Sequence, residues 1–202
     1  MLESQRWGGP RSSLEGEGPA VLRDGLAVEV RRLGAIDRPR IEELLAGLSD
    51  ATLAARFFSP VSRGTALAEL VRGVSSPERL ALVIGTVTGG RETFIAHAEY
   101  LRDAVQAPGA EVAFLVADAY RGRGCATLLL HRLARAARTA GIKRFHATVR
   151  DGNAGMLGVF RDSGFAVTEW SRPDAVEVSF SIIEGNDPFP PFSRPRPFAA
   201  GR

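Results

Sequence analysis

Cysteine and lysine each occur once in these 202 residues. A lone Cys125 cannot close an internal disulfide, which fits a reducing compartment and leads us to expect a cytoplasmic protein. Removing Lys143 from the 26 basic side chains leaves 25 arginines, and 23 acidic residues bring the formal net charge to only +3. The basic residues are scattered among acidic ones rather than gathered on one stretch, so no nucleic-acid partner is expected. The longest apolar runs, Leu80–Ile84 and Val112–Ala117, fall far short of the ~20 residues of a membrane span. The first twenty residues carry five charges and no apolar core, so neither a membrane association nor a secretory signal is expected. His97, His131 and His146 lie on separate elements without ligand spacing, and no metal site is expected. The P-loop run G-x-x-x-x-G-K-[ST] is missing, and a dinucleotide fingerprint beginning at Gly122 fails where its third glycine would be Thr127.

What is present is an ordinary globular composition, 45% hydrophobic and 24% charged, at a length that suits one domain with tails. Residues 1–20 are polar, glycine-rich and aperiodic and read as an N-terminal tail. Residues 185–202 hold five of the twelve prolines and read as a proline-rich C-terminal tail. The span 21–184 remains as the folded domain. Its elements alternate. A strand is expected where Leu26, Val28 and Val30 alternate, and a helix from Asp37, placed as its N-cap, with Ile41, Leu44, Leu45 and Leu48 on one face. Short helices fill residues 49–74. Leu80–Val87 and Thr93–Leu101 form a hairpin across Gly89-Gly90. Glu111–Ala117 is a strand. A long helix follows, with a stripe of Ala126, Leu129, Leu130, Leu133, Ala136, Ala137 and Ala140 that Gly141 ends. Strands at 143–149, 165–170 and 175–182 and a helix at 153–163 complete the domain. Hairpin and strand–helix–strand connections together imply an α/β (α+β) fold: a mixed, mostly antiparallel sheet with helices on both faces.

The chemistry concentrates where strand 111–117 passes through Asp118-Ala-Tyr-Arg-Gly-Arg-Gly-Cys-Ala126 into the long helix. Gly122 and Gly124 allow unusual torsions and close backbone approach. The free amides of a helix start attract phosphate, and Arg121 and Arg123 add charge at the same place.

Arg121-Gly-Arg-Gly-Cys-Ala126 resembles the [QR]-x-x-G-x-[GA] pyrophosphate loop of the GCN5-related N-acetyltransferase (GNAT) superfamily. The block from Asn153 through Met156 and Phe160 to Gly164-Phe165 is similar to that family's asparagine-to-Gly-Phe stretch. Glu111-Val-Ala-Phe-Leu-Val-Ala-Asp118, and Leu48-Ser-Asp-Ala-Thr-Leu-Ala-Ala-Arg-Phe-Phe58 upstream, resemble segments of the Pat-type bacterial protein lysine acetyltransferases. The resemblance covers about residues 26–182.

It implies a single GNAT-like domain that uses acetyl-CoA as co-substrate and a primary amine as acceptor. That acceptor is a protein lysine by the narrower resemblance, while a small-molecule amine or a non-catalytic acyl-CoA-binding role stays open. Coenzyme A would lie on the backbone of Leu115 and Val116, on Arg121, Gly122, Arg123, Gly124, Cys125 and Ala126, and beside Asn153, which also suits a helix N-cap. Glu111 is the implied general base, on a strand face shared with Ala113, Leu115 and Ala117 where a buried flank would raise its pKa; on spacing alone it reads as a solvent-exposed glutamate after the Pro108-Gly109 turn. Phe160 stands where many relatives carry the tyrosine that protonates the leaving thiolate. Cys125 has no neighbouring histidine in sequence and is not expected to act as a nucleophile. Arg56, Phe57 and Phe58, with the last two strands, are expected near the acceptor. Oligomeric state is left open.

Overall fold

The computed structural model describes residues 16–183, apart from 73, 75, 77 and 105–107. The assigned N-terminal segment therefore lies largely, and the proline-rich segment wholly, outside the described residues. Eight strands form one sheet in the order β1-β2-β3-β4-β5-β6-β8-β7. They are β1 (Gly18–Val21), β2 (Ala27–Arg32), β3 (Arg79–Thr88), β4 (Arg91–Arg102), β5 (Gly109–Val116), β6 (Arg144–Arg150), β7 (Val167–Ser171) and β8 (Ala175–Ser181). Five helices accompany them: α1 (Arg38–Ala46), α2 (Asp50–Phe57), α3 (Arg63–Arg72), α4 (Cys125–Thr139) and α5 (Ala154–Arg161). Every pairing is antiparallel except that of β5 with β6.

β3 shows why its apolar run is continuous rather than alternating. Leu80, Leu82 and Ile84 face a core shared with Leu129, Leu130, Leu133 and Ala137 of α4. Ala81 and Val83 face a second core with Ile41, Leu45, Leu53, Leu67 and Leu70 of α1–α3. A central strand covered on both faces has no polar side to show. The expected hairpin closes at Gly89 and Gly90, with φ of 60° and 79°, the left-handed pair that a two-residue turn requires.

Three details differ from the sequence reading. β1 begins at Gly18, inside the stretch read as a tail. Its Gly-Pro-Ala-Val sequence has weak strand character, and Pro19 is tolerated because β1 is an edge strand. Asp37 holds the expected N-cap position of α1, but its side chain makes no capping bond: a 3-10 turn (Ala35–Asp37) precedes the helix, and the buried carboxylate binds Arg31 and the amide of Gly34 instead. The buried side of α4 is Cys125, Leu129, Leu130, Leu133, Ala134 and Ala137. It is turned slightly from the expected stripe, so Ala126 is half-buried at the cleft and Ala140 is exposed.

Candidate active site

The parallel pairing of β5 with β6 lasts only from Gly109↔Arg144 to Glu111↔His146. Beyond that point the strands diverge, and a cleft of about 780 Å³ opens between them. It lies at the carboxyl ends of two parallel strands, where α/β sheets bind ligands. Residues 111–116 of β5, 147–149 of β6, residues 120–122 and 124–127 of the bend, the start of α5 and the end of α2 line it.

Strand alternation decides which backbone groups are available. The amide of Ala117 donates to the carbonyl of Ile95, and that of Asp103 to Gly109, so the odd-numbered residues of β5 bond to β4. The even-numbered ones then turn their N–H and C=O toward β6, which has already departed beyond Glu111. Val116 presents its backbone to the cleft. Leu115 lines the cleft, but its backbone points toward His97 of β4. Phe114, which sequence reading passed over, offers the second free pair. Only the point at which two strands part could have revealed this.

The bend has the geometry of an anion cradle. Gly122 and Gly124 take φ of 73° and 90°, and no side chain caps α4. The amide of Leu128 reaches the carbonyl of Gly124, so the amides preceding it are left to a ligand. Asp118 braces the bend from below. It accepts from the amide of Ser49 (2.8 Å) and the hydroxyl of Thr52 (2.5 Å) and pairs with Arg121 (3.0 Å). Partial burial pulls its pKa up, but the bonds from Thr52 and Ser49 and the charge of Arg121 hold it below the usual carboxylate range. Ser49 itself caps α2, so one carboxylate ties the bend to that helix.

All the sequence-assigned residues line the cleft except Arg123. The Arg123 guanidinium binds Asp24 (2.9 Å) and stacks on Tyr120 (4.9 Å). Cys125 is buried, its thiol pushed up to about 11 by that burial, and its Sγ lies 3.7 Å from the carbonyl of Tyr120. Asn153 caps α5 by accepting from the amide of Met156 (3.2 Å) and lines the cleft as well. Phe160 is fully buried, edge-on to Phe114 with ring centres 6.0 Å apart. Glu111 stands at the split, but exposed rather than buried on the expected flank, because its neighbours on that face do not cover it.

At the wider end, Thr52, Arg56, Phe57 and Phe58 of the α2 segment line the opening, whereas no residue of β7 or β8 does. Arg56 is fixed by Glu99 (2.5 Å) and lies over the Phe57 ring (4.9 Å). Glu99 is buried and also faces Arg79 (3.3 Å); burial drives its pKa up against the pull of the two arginines. Beside them His97 is wholly buried with neither ring nitrogen hydrogen-bonded, and burial, aided by Arg56 and Arg79, pushes it down to about 3. Glu99 went unremarked in the sequence, and His97 was noted only as lacking metal-ligand spacing; the available signal was a charged residue two positions from a histidine within the otherwise apolar run Phe94–Leu101. His131 is exposed on α4, and His146 pairs with Asp103 at 2.9 Å. Among the described residues no helix is long and apolar enough to cross a membrane.

Comparison with known proteins agrees with this geometry. The acetyltransferase (GNAT) family model matches residues 55–165. Acetyltransferase Pat of Mycolicibacterium smegmatis is 34% identical over 141 residues, which is 65% of this chain and 42% of that protein. The GNAT domain of S. lividans PAT superposes with a TM-score of 0.73 at 33% identity, covering 85% of this chain and 99% of that one. A cAMP-binding acyltransferase from Mycobacterium smegmatis superposes with a TM-score of 0.59 at 25% identity, covering 88% of this chain and 50% of that one. The matched stretch thus spans half or less of the M. smegmatis proteins. A divided sheet with an uncapped helix start at its split, together with a family match over more than half its length, shows that the chain belongs to the acetyltransferase (GNAT) family.

Proposed function

We propose that this chain transfers the acetyl group of acetyl-CoA to the side-chain amine of a protein lysine, with Glu111 as general base. The observation that carries the reading is the position of Glu111 at the division of β5 from β6, in one cleft with the uncapped start of α4. The diphosphate of coenzyme A would rest on the amides of the 122–126 bend, and the pantetheine arm would run along the free backbone edge of Phe114 and Val116 beside Asn153. An N–H of that edge would polarise the thioester carbonyl and stabilise the oxyanion formed on attack.

A lysine amine has a pKa near 10.4, so near pH 7 its neutral form costs roughly 4 kcal/mol. Glu111, reached from solvent, would take the proton directly or through water. The nitrogen then attacks the thioester carbon, the attached nitrogen gives up a second proton to water, the C–S bond breaks, and the thiolate leaves. Phe160 has no proton to give, so in this scheme the thiolate departs as the anion and is protonated from solvent. The lysine acceptor is supported by the similarity to the Pat acetyltransferases.

Incubating the purified chain with acetyl-CoA and separate pools of protein and polyamine acceptors, with intact-mass readout, tests this. A 42-Da gain on protein lysines supports it. Acetylation confined to small amines would replace the protein acceptor, and thiol release absent with every pool would reject the enzymatic reading.

A further inference from the structure

We infer that Arg23, in the turn between β1 and β2, binds a phosphate of coenzyme A, so that this edge hairpin is part of the cofactor site; the inference rests on the coenzyme reading of the cleft. The turn is locked to the bend from both sides. The amide of Arg23 donates to the carbonyl of Arg123 (3.1 Å), and the Asp24 carboxylate accepts from Arg123 (2.9 Å) and from the amide of Leu26 (3.2 Å). That fixes where the Arg23 side chain can go: across Gly124. A β-carbon at Gly124 would lie 3.2 Å from its Cγ and 3.4 Å from its Nε. The glycine thus serves a second purpose besides its left-handed φ, leaving room for the arginine stem above the first turn of α4.

Three arginines meet at this corner, and their partners distinguish them. Arg121 is held by Asp118 and Thr52. Arg123 is neutralised by Asp24 and is not among the residues that line the cleft. Arg23 does line it, and its guanidinium has no carboxylate or hydrogen-bonding partner among the described residues. A guanidinium left without a counter-ion beside uncapped amides matches a phosphate in charge and in its paired donors. The charge that the sequence suggests for Arg123 at the phosphate comes instead from a residue a hundred positions earlier. Coenzyme A offers two such groups, the diphosphate and the ribose 3′-phosphate.

Calorimetry with coenzyme A and with 3′-dephospho-coenzyme A, on wild type, Arg23→Ala and Arg23→Lys, tests the inference. Arg23→Ala should weaken coenzyme A about tenfold or more, and Arg23→Lys should recover part of that loss. An equal loss for both ligands assigns the diphosphate; a loss for coenzyme A alone assigns the 3′-phosphate. Either result supports the role. Because the Arg23 side chain is exposed, both variants should melt with wild type; should the alanine variant unfold, Arg23→Gln takes its place. Unchanged affinity in the alanine variant overturns the inference while leaving the cleft reading intact. Wild type that binds neither ligand overturns the cleft reading itself.

Discussion

Glu111 and His146 face each other at the last paired position of β5 and β6, so the residue expected to accept a proton stands where the sheet divides. On one side of that point the backbone is saturated by strand pairing; on the other it is open to a ligand. In the proposed reaction this junction would set Glu111 near a thioester laid along β5 without committing its side chain to the sheet. Glu111→Gln should therefore lower turnover about a hundredfold or more, while the Kd for coenzyme A stays within twofold of wild type. Steady-state kinetics and calorimetry on one preparation decide it, and an unaltered turnover would remove Glu111 from the mechanism.

Phe58 ends α2 with φ of 60°, the only positive φ of a non-glycine side chain among the described residues. Glycine takes that conformation without strain, and a large aromatic does not. The ring does little for the core, since it is 44% exposed at the cleft. Phe58→Gly should raise stability by about 0.5 kcal/mol and Phe58→Val should lower it by about 1 kcal/mol, measured by urea denaturation. A glycine variant more than about 1 kcal/mol weaker would show that packing of the ring outweighs the backbone.

Local chemistry explains which parts of this molecule were legible in its sequence. Gly89-Gly90 specifies its own turn, and the leucines of α4 specify its buried side, so the hairpin and the long helix stood out. The torsions of the glycine-rich bend and the cap made by Asn153 were readable because they depend on neighbours in sequence. The partner of Asp37 was not, because Glu92, the other carboxylate on Arg31, lies 61 residues from it. The position of Arg23 over Gly124 depends on an edge strand of weak propensity, and the free edge of Phe114 depends on where two strands part. Long-range geometry of this kind leaves no periodic trace.

The buried imidazole of His97 makes stability depend on pH. Its folded pKa of about 3 lies below the ordinary 6.5, so between those values the unfolded chain holds a proton that the folded one does not. Stability from this group is complete above pH 6.5 and declines as pH falls toward 3. The neighbouring Glu99 works in the opposite sense: its raised pKa makes the folded state take up a proton first as pH drops. The charges of Arg56, Arg79 and Glu111 act electrostatically on the same cluster. Comparing wild type with His97→Gln isolates the histidine. The variant should lose less stability between pH 7 and pH 4, the difference being about 3 kcal/mol. Parallel pH curves for the two proteins would mean that His97 is protonated without opening the core.

Arg31 holds the far side of the sheet together through an unusual concentration of buried charge. It is 6% exposed, grips both oxygens of Asp37 at 2.7 Å and both of Glu92 at 2.9 and 3.0 Å, and lies 4.8 Å above the Phe94 ring. Arg40 reaches the same carboxylates at 3.3 and 3.2 Å but from a more exposed position. Burial pulls the pKa of Asp37 up, yet the bonds from Arg31 and Gly34 more than offset it, leaving it below the ordinary aspartate value of 3.8. The stabilisation is therefore present above pH 3.8 and disappears only as the pH falls below it. Removing the guanidinium at neutral pH leaves two ionised carboxylates in a site built around it. Arg31→Met should cost about 3–5 kcal/mol in urea denaturation at pH 7, whereas the triple variant Arg31→Met, Asp37→Asn, Glu92→Gln should recover much of the loss. A single variant weaker by less than about 1 kcal/mol would show that water or Arg40 satisfies both acids without Arg31.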